Sequence, residues 1–388
     1  MRVGIFTDSY RPYSSGVVFS IDLFTRDLTE MGHEISIFAP SYPHCEKESR
    51  IFRFISVPSP TNHDFCVAIP ISLKLKRAMK KLKPDIIHVH SPFLLGRLGA
   101  KYARNLGVPL VFTFHTLYDQ YIHYFPFARE VAREMTIRYY RDFCNNCDLV
   151  IAPTSVIADH LVENGVTTAI EAIRTGVDIE RFDSRESVWV QRKYGLPEET
   201  RILLFVGRLG QEKNIPFLME VYARVVDEHP DTRLVLVGAG PEEANLRRRA
   251  RELGIQEKVI FAGKVGREEI ANYYCSSYLF VFTSVTETQG LVLGEAKAAG
   301  VPAVAVRAFG VSEMVKDCED GFLTEYAQAD FKSKLELLLV DRGLRESMSQ
   351  AARINSQSLS SRESAEKLIR CYTGLLNSGS RDVKLMGV

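Results

Sequence analysis

Two cations follow a short apolar run in the second half of the chain. Residues 202–206 have the composition of a buried β-strand, and Arg208 and Lys213 lie in the loop directly after it. Two cations on one loop can converge on a diphosphate and neutralise the charge that develops as it departs. Two cations with no other functional side chain near them would be ordinary solvated surface charges. The interpretation therefore depends on which other residues lie beside Arg208 and Lys213.

A pair of glutamates follows another apolar run, at residues 279–283. Glu287 lies in the loop after this predicted strand, and seven residues separate it from Glu295. We expect a helix to begin near Gln289–Gly290, with Glu295 about two turns into it and its positive end favouring a phosphate. Carboxylates accept hydrogen bonds from sugar hydroxyls, so one glutamate suits a ribose and the other a hexose. With the two cations, the pattern predicts a nucleotide-sugar site.

A loop near the start of the chain offers a third candidate. It follows the predicted strand at residues 2–6, contains Gly16 and Val17, and leads into a helix predicted over residues 19–31. A glycine close to a helix start lets backbone N–H groups approach an anion. Taken alone the signal is weak, because such a glycine more often marks only a turn.

These side chains can form one site only if the strands before them end at the same edge of a sheet. Short runs rich in Val, Ile, Leu and Phe alternate with helical patterns, which is typical of buried parallel strands joined by crossover helices. The runs form two series, 2–6, 34–38, 86–89, 110–114 and 149–152, then 202–206, 233–237, 259–262, 279–283 and 303–306. The sequence therefore predicts an α/β protein with two doubly wound, Rossmann-like domains, whose ligands bind at the carboxyl ends of the strands and in the cleft between the domains.

Length and composition agree with two ordinary globular domains. The chain has 388 residues, 46% of them hydrophobic. We predict an N-terminal, acceptor-side domain over 1–173, a donor-binding domain over 174–358, and a C-terminal segment over 359–388 that returns to the first domain and ends in a loose tail.

Charge and cysteine content narrow the function classes. A net charge of +1 gives no reason to expect a nucleic-acid partner. Seven scattered cysteines predict reduced thiols and a cytoplasmic location, and Cys144 and Cys147 lack the second pair that a zinc site would need. We find neither a signal-peptide pattern nor an apolar run long enough to span a bilayer.

These motifs together resemble family 4 of the retaining GT-B glycosyltransferases over nearly the whole chain. The resemblance is carried by residues 207–209, 212–214 and 238–241 and by the Glu287/Glu295 pair. It implies that Arg208 and Lys213 bind the donor diphosphate, that Glu295 binds the ribose and that Glu287 binds the donor sugar. It also implies that backbone groups complete the donor site at Gly16, Val17, Thr288, Gln289, Gly290 and Leu291.

Within that family, the chain most resembles the diacylglycerol glucosyltransferases, through residues 15–18, 115–124 and 286–290. The resemblance places His115, which follows the predicted strand at 110–114, beside the donor sugar; a structural histidine capping the sheet is the alternative. Asp119 and His123 are candidates for the acceptor side.

Residues 70–83 predict a short amphipathic helix with a cationic face. Ile71, Leu75, Met79 and Leu82 recur at helical spacing. Such a helix can lie on anionic lipid, or its apolar stripe can pack on the protein while the cations are solvated. We expect a peripheral membrane contact, made by six cations: Lys74, Lys76, Arg77, Lys80, Lys81 and Lys83.

The resemblance implies transfer of glucose from UDP-glucose to a membrane lipid such as diacylglycerol, with retention of configuration. No Asp-x-Asp motif occurs, so we expect a metal-independent reaction without a cofactor. One alternative is the same fold with another donor, such as GDP-mannose or UDP-GlcNAc, or with a soluble or different lipid acceptor. A nucleotide-sugar-binding protein that has lost its activity is the other.

Overall fold

The structure is a computed structural model and describes residues 1–43, 45, 48–60, 65–71, 73–120, 129–183 and 185–378. It divides into two units. The first unit runs from Met1 to Gly176 and includes the C-terminal segment from Ser361. The second unit is Val177–Ser360.

The first unit is built on a seven-stranded parallel sheet. Its strands are β1 (Arg2–Phe6), β2 (Glu34–Pro40), β3 (Ile51–Phe54), β6 (Ile86–Val89), β7 (Leu110–Thr113), β8 (Leu149–Ala152) and β9 (Ile170–Ala172). They lie in the order β3-β2-β1-β6-β7-β8-β9, so the strand order reverses between β1 and β6. A separate antiparallel hairpin is formed by β4 (Ser56–Pro58) and β5 (Cys66–Ala68).

Six helices surround this sheet in the described part of the first unit: α1 (Gly16–Glu30), α2 (Leu73–Leu82), α3 (Leu94–Leu106), α4 (Arg129–Cys144), α5 (Ser155–Glu163) and α14 (Ser361–Asn377). The last of them comes from the far end of the chain. Ala365, Leu368 and Tyr372 of α14 are buried in the same core cluster as β1, β2 and α1.

The second unit has a six-stranded parallel sheet with the order β12-β11-β10-β13-β14-β15. Its strands are β10 (Arg201–Val206), β11 (Thr232–Val237), β12 (Val259–Gly263), β13 (Leu279–Phe282), β14 (Ala303–Val306) and β15 (Gly321–Thr324). This is the Rossmann order, with its reversal between β10 and β13. Ligands of open α/β sheets bind where the order reverses, which here is where Lys213 and Glu287 follow their strands.

The helices of the second unit are α6 (Trp189–Lys193), α7 (Ile215–Val225), α8 (Glu243–Glu252), α9 (Arg267–Cys275), α10 (Leu291–Ala298), α11 (Val311–Met314), α12 (Gln328–Val340) and α13 (Arg342–Ser356). In the described part of the chain, no helix combines the length and the apolar character needed to cross a membrane.

The predicted α/β class and the two Rossmann-like sheets are confirmed, but the sequence missed five strands. These are β3, β4, β5, β9 and β15. The strands β4 and β9 are short and largely exposed, so their residues lack the apolar run by which a buried strand is recognised.

Candidate active site

The loop that carries the predicted cations is held against the end of β13. Thr283 donates its hydroxyl to the carbonyl oxygen of Lys213 (Oγ1–O 2.8 Å), and the side-chain amide of Asn214 donates to the carbonyl oxygen of Thr283 (3.2 Å). Asn214 has a φ of 50°, a left-handed conformation that asparagine tolerates better than most residues. The turn therefore delivers Lys213 to the loop that contains Glu287.

Lys213 and Glu287 form an ion pair in which Nζ of Lys213 donates to Oε1 of Glu287. The two side chains are only 14% and 19% exposed. Burial alone would raise the pKa of the Glu287 carboxyl, but the charge of Lys213 and hydrogen bonds from Lys213 and Ser284 outweigh it and hold that pKa below its ordinary value. The ionised pair can bind an anion through Lys213 and sugar hydroxyls through Glu287.

Arg208 lies on the same loop but in a different setting. Its side chain is exposed, and it forms no ion pair with any residue that the structure describes. The loop itself is braced by its neighbour after β11, because the N–H of Leu209 donates to the carbonyl oxygen of Ala239 (3.1 Å). Gly238 has a φ of 135°, and a Cβ there would collide with the carbonyl oxygen of Gly207. The glycines after β11 thus permit this close approach of two backbones.

The helix α10 begins at Leu291, later than the sequence predicted. Gly290 has a φ of 79°, which is outside the helical region and prevents an earlier start. Glu295 is therefore about one turn into the helix, and the predicted two turns were wrong. The preceding loop is anchored by Gly310, whose N–H donates to the carbonyl oxygen of Glu287 (3.0 Å).

Glu295 is held by two residues that the sequence did not indicate. The hydroxyl of Tyr274 donates to its Oε2 (2.7 Å), and Nη1 of Arg181 lies 3.9 Å from its Oε1. Burial raises the pKa of the Glu295 carboxyl despite the opposing effects of Tyr274, Arg181 and Arg267. One carboxylate oxygen is thus committed to Tyr274, while the other lies beside a cation.

In the first unit, Asp8 and Ser91 link the strands at which the order reverses. The carboxylate of Asp8 accepts hydrogen bonds from the Ser91 hydroxyl and from the N–H of Leu95 at the start of α3 (2.9 Å). Burial raises the pKa of the Asp8 carboxyl, although these hydrogen bonds oppose the shift. The contact connects the end of β1 with the loop after β6.

The helix α1 begins at Gly16, three residues before the predicted start, which was wrong. Ser15 caps the helix, with its hydroxyl oxygen accepting from the N–H of Val18 (3.3 Å). This capping serine satisfies an N–H group that would otherwise be unpaired, so the helix extends to Gly16. Gly16 and Val17 consequently lie in the first turn, where N–H groups favour an anion.

His115 belongs to a cluster of three histidines at the ends of β6 and β7. Its Nε2 lies 2.8 Å from Nδ1 of His90, and the rings of His88 and His90 stack with centroids 4.3 Å apart. His88 bonds to the hydroxyls of Tyr372 (2.6 Å) and Thr113 (2.7 Å). Burial lowers the pKa of His88 and of His115 to about 3, so both rings are neutral at physiological pH.

Of the two acceptor-side candidates, Asp119 lies among the described residues. Asp119 is buried, and its carboxylate contacts Nε2 of His160 (3.4 Å) and the amide of Gln120 (2.8 Å). Burial would raise the pKa of the Asp119 carboxyl, but the bonds from His160 and Gln120 and the charge of His160 leave it lowered. His123 lies outside the described residues.

The predicted basic helix exists as α2, and its apolar side faces the protein. Leu75 and Met79 are buried. The cations Lys76, Arg77, Lys80, Lys81 and Lys83 are exposed, and the side chain of Lys74 lies outside the description. Any contact that α2 itself makes with a membrane is therefore electrostatic.

Two family models match this chain. The model described as Glycosyltransferase Family 4 covers residues 14–181, and the one described as Glycosyl transferases group 1 covers residues 190–355. An α-monoglucosyldiacylglycerol synthase of Streptococcus pneumoniae is 33% identical over 312 residues, which cover 79% of this chain and 71% of that protein. The chain belongs to the family 4 glycosyltransferases.

Other relatives of this glycosyltransferase differ in the sugar they are named for. An α-monoglucosyldiacylglycerol synthase of Acholeplasma laidlawii is 30% identical over 78% of this chain and 80% of its own length. A GDP-mannose-dependent α-mannosyltransferase of Corynebacterium glutamicum is also 30% identical, over 86% of this chain and 79% of its own. Membership of the family therefore establishes glycosyl transfer and leaves the donor and acceptor as proposals.

Solved structures confirm the GT-B type of fold for the glycosyltransferase. A sucrose-phosphate synthase from Thermosynechococcus elongatus superposes with a TM-score of 0.80 at 19% identity, covering 97% of this chain and 99% of the other. Anabaena HepE in complex with UDP and glucose gives 0.79 at 17% identity, covering 96% and 100%.

Of the predicted site residues in the second unit of the glycosyltransferase, the structure joins Lys213 and Glu287 directly. Glu295 instead contacts Tyr274 and lies near Arg181, neither of which the sequence singled out. Tyr274 falls in an ordinary helical pattern, and Arg181 is one of many arginines. No spacing rule indicated either residue.

Proposed function

We propose that this glycosyltransferase moves glucose from UDP-glucose to the hydroxyl of a membrane lipid such as diacylglycerol, giving an α-glucoside. The observation that carries the proposal is the Lys213–Glu287 ion pair at the point where the strand order reverses. Glu295 lies about one turn into α10, the helix that follows the Glu287 loop. The synthase named for the same product supports the choice of donor and acceptor, at 33% identity.

The donor would bind through the residues already paired. Lys213 can exchange the Glu287 carboxylate for a diphosphate oxygen, and the exposed Arg208 can swing onto the same diphosphate. The freed carboxylate of Glu287 would then accept hydrogen bonds from hydroxyls of the sugar, and Glu295 from those of the ribose. Backbone N–H groups of Thr288 to Leu291, at the start of α10, would complete the phosphate site.

The chemistry breaks the bond between the sugar C1 and the diphosphate oxygen while a new bond forms from the acceptor oxygen to C1. Arg208, Lys213 and the positive end of α10 stabilise the negative charge on the departing diphosphate, so this step does not require a metal ion. We propose a front-face route, in which the departing phosphate oxygen takes the proton of the acceptor hydroxyl. Retention of configuration follows from attack on that face.

We propose that His115 contacts the donor sugar, the role that the sequence resemblance implies. Its ring is neutral, because burial lowers its pKa to about 3, so it can share hydrogen bonds with hydroxyls but adds no positive charge. This suits a developing oxocarbenium ion, which an imidazolium would repel.

A donor and acceptor panel tests the proposed function. Purified protein is given UDP-glucose, UDP-GlcNAc or GDP-mannose, each with diacylglycerol vesicles or a soluble sugar acceptor, and the products are identified by mass spectrometry and by the anomeric coupling in NMR. We expect an α-glucosyl lipid from UDP-glucose. Turnover with GDP-mannose alone would replace the donor, a possibility that the mannosyltransferase relative at 30% identity supports.

The lipid acceptor requires a membrane contact, and we propose that the β4–β5 hairpin supplies its apolar part. Ile55 and Ile71 are 74% and 75% exposed, and Val57 and Ile69 are also exposed. Ile55 and Ile69 pair across the hairpin, since the N–H of Ile69 donates to the carbonyl oxygen of Ile55 (2.8 Å). Ala68 points to the opposite, buried face.

The hairpin leads directly into α2, whose exposed cations suit anionic headgroups. The free thiols of the cysteines agree with contact at the cytoplasmic face, where a reducing environment prevails. Hairpin and helix would thus combine insertion of aliphatic side chains with attraction to surface charge.

Vesicle sedimentation separates the two contributions. Ile55→Ser with Ile71→Ser should weaken binding to both neutral and anionic vesicles, whereas Lys80→Glu with Lys81→Glu should weaken binding only to anionic ones. Ile354→Ser is the matched control, because Ile354 is 72% exposed but lies in the second unit. Unchanged sedimentation of both double variants would remove this surface from the proposal.

A further inference from the structure

Arg181 is a buried cation whose nitrogens are incompletely bonded. It lies in the short turn Ile179–Phe182, and its side chain is only 7% exposed. Its Nε and Nη2 have no hydrogen-bond partner among the residues that the structure describes. Guanidinium N–H groups buried without partners cost several kcal/mol, so an arginine in this state needs a reason.

The surroundings of Arg181 indicate that reason. The nearest carboxylate is that of Glu295, with Nη1 at 3.9 Å from Oε1, which is too long for a hydrogen bond. The other oxygen of Glu295 already accepts from Tyr274 at 2.7 Å. The guanidinium therefore faces the one oxygen of Glu295 that remains available to a ligand.

We propose that Arg181 is a positioning residue for donor binding: it orients Oε1 of Glu295 toward the ribose hydroxyls and completes its own hydrogen bonds when the nucleotide is bound. The inference rests on the proposed function, because it takes Glu295 as the ribose-binding carboxylate. It goes further by adding a cation behind that carboxylate and by assigning it an effect on one part of the donor, the ribose.

The position of Glu295 explains why a cation is needed there. The Glu295 carboxyl is largely buried, and burial raises its pKa. A protonated carboxyl would offer the ribose one acceptor fewer, so Arg181 behind Oε1 favours the form that accepts from both hydroxyls. Tyr274 and Arg267, both of α9, act on the carboxyl in the same direction.

Calorimetric binding of UDP and 2′-deoxy-UDP, and of GDP and 2′-deoxy-GDP, tests the proposal without depending on transfer. For the nucleotide that binds the wild type, Arg181→Met should weaken binding about 10-fold, the loss expected for a hydrogen bond to a charged group. For its deoxy analogue the same substitution should weaken binding less than about twofold. Arg181→Lys should recover part of the loss.

Arg342→Met is the matched control. Arg342 lies at the start of α13 in the same unit, with its Nε 2.7 Å from the carboxylate of Glu346 at the surface, so this variant should bind both members of each nucleotide pair like the wild type. In a Glu295→Gln background, Arg181→Met should have little further effect on UDP, since the group it positions has lost its charge.

Each result decides a different question. Equal weakening of UDP and 2′-deoxy-UDP by Arg181→Met would show a merely structural arginine and overturn the inference, whatever the acceptor is. Binding of GDP in place of UDP, with the predicted ratio, would support Arg181 and refute the UDP-glucose proposal. Failure of the wild type to bind either nucleotide would overturn both.

Discussion

Both units place polar side chains near the point where the strand order reverses, but the pair in the second unit is charged and the histidines of the first unit are neutral. In the second unit, Lys213 and Glu287 are both charged and lie in contact where the strand order reverses. In the first unit, His90 and His115 are neutral rings joined by a hydrogen bond close to the corresponding reversal. An ion pair can exchange its partner for a charged ligand at modest cost, whereas a neutral buried network holds rings in one orientation. We infer that Lys213 and Glu287 of the second unit bind the donor, and that the histidine cluster of the first unit holds the ring of His115 in its orientation.

The largest expected effect comes from dividing the ion pair. Lys213→Met and Glu287→Gln should each lower kcat/KM for transfer about 1,000-fold, since each removes charge stabilisation at the departing diphosphate or a contact of the sugar. The double variant should be little worse than either single one, because the two residues act together. Steady-state kinetics with the productive donor measures this.

Lys297 provides the control for that prediction. It forms another largely buried ion pair in the same unit, with its Nζ 2.7 Å from Oδ2 of Asp320. Lys297→Met should cost about 3 kcal/mol of folding stability and leave the activity of the folded protein intact. If Lys213→Met instead lowers the melting temperature and spares activity, both pairs are structural and the comparison fails.

A smaller effect is expected in the histidine cluster. His90 is buried, and its Nε2 has no partner among the described residues, while its Nδ1 bonds to His115. His90→Ala should lower kcat about 30-fold by releasing the ring of His115, and His90→Asn, whose amide can keep one bond, should recover part of that loss. His229→Gln, in the second unit, should leave kcat unchanged. Equal losses for His90→Ala and His90→Asn would argue against an orienting role.

The smallest effect concerns stability in acid. His88 has an ordinary pKa of 6.5 in the unfolded chain and one of about 3 in the folded protein. Above pH 6.5 neither state binds the proton, and as the pH falls toward 3 only the unfolded chain does, so the free energy of unfolding falls by about 1.4 kcal/mol at pH 5.5 for this residue. Urea unfolding across this pH range should show the slope.

The variant His88→Gln removes the titrating group. Its free energy of unfolding should be lower at neutral pH, where two hydrogen bonds are weakened, but should depend less on pH between 6.5 and 4.5. A slope unaffected by His88→Gln would mean that the cluster titrates in the folded protein, contrary to the electrostatic difference between the units.

The sequence predicted the parts of the molecule that depend on local patterns. Both Rossmann-like sheets were predicted from apolar runs. The proximity of Lys213 and Glu287 was predicted because each lies in a loop that follows one of those runs. It could not predict the partners of Glu295, because Arg181 precedes it by more than a hundred residues and only the folded chain brings the two side chains near.

Helix starts and buried faces were harder to predict for different reasons. The start of α10 depends on a positive φ at Gly290, and that of α1 on the hydrogen bond that the Ser15 hydroxyl oxygen accepts from the N–H of Val18. A periodic pattern reports neither. The apolar stripe of α2 could either lie on lipid or pack on the protein. The burial of Leu75 and Met79 shows that it packs on the protein. Periodicity identifies an apolar face without saying what covers it.

The return of α14 to the first unit affects how the protein is made. The first unit consists of two stretches separated by the whole of the second, and Tyr372 of α14 bonds to His88 within it. A ribosome must therefore synthesise α14 before the N-terminal unit has all its parts, while Val177–Ser360 emerges earlier as one continuous piece. Domains generally fold as units during synthesis, so the unit translated second is the first that can finish folding.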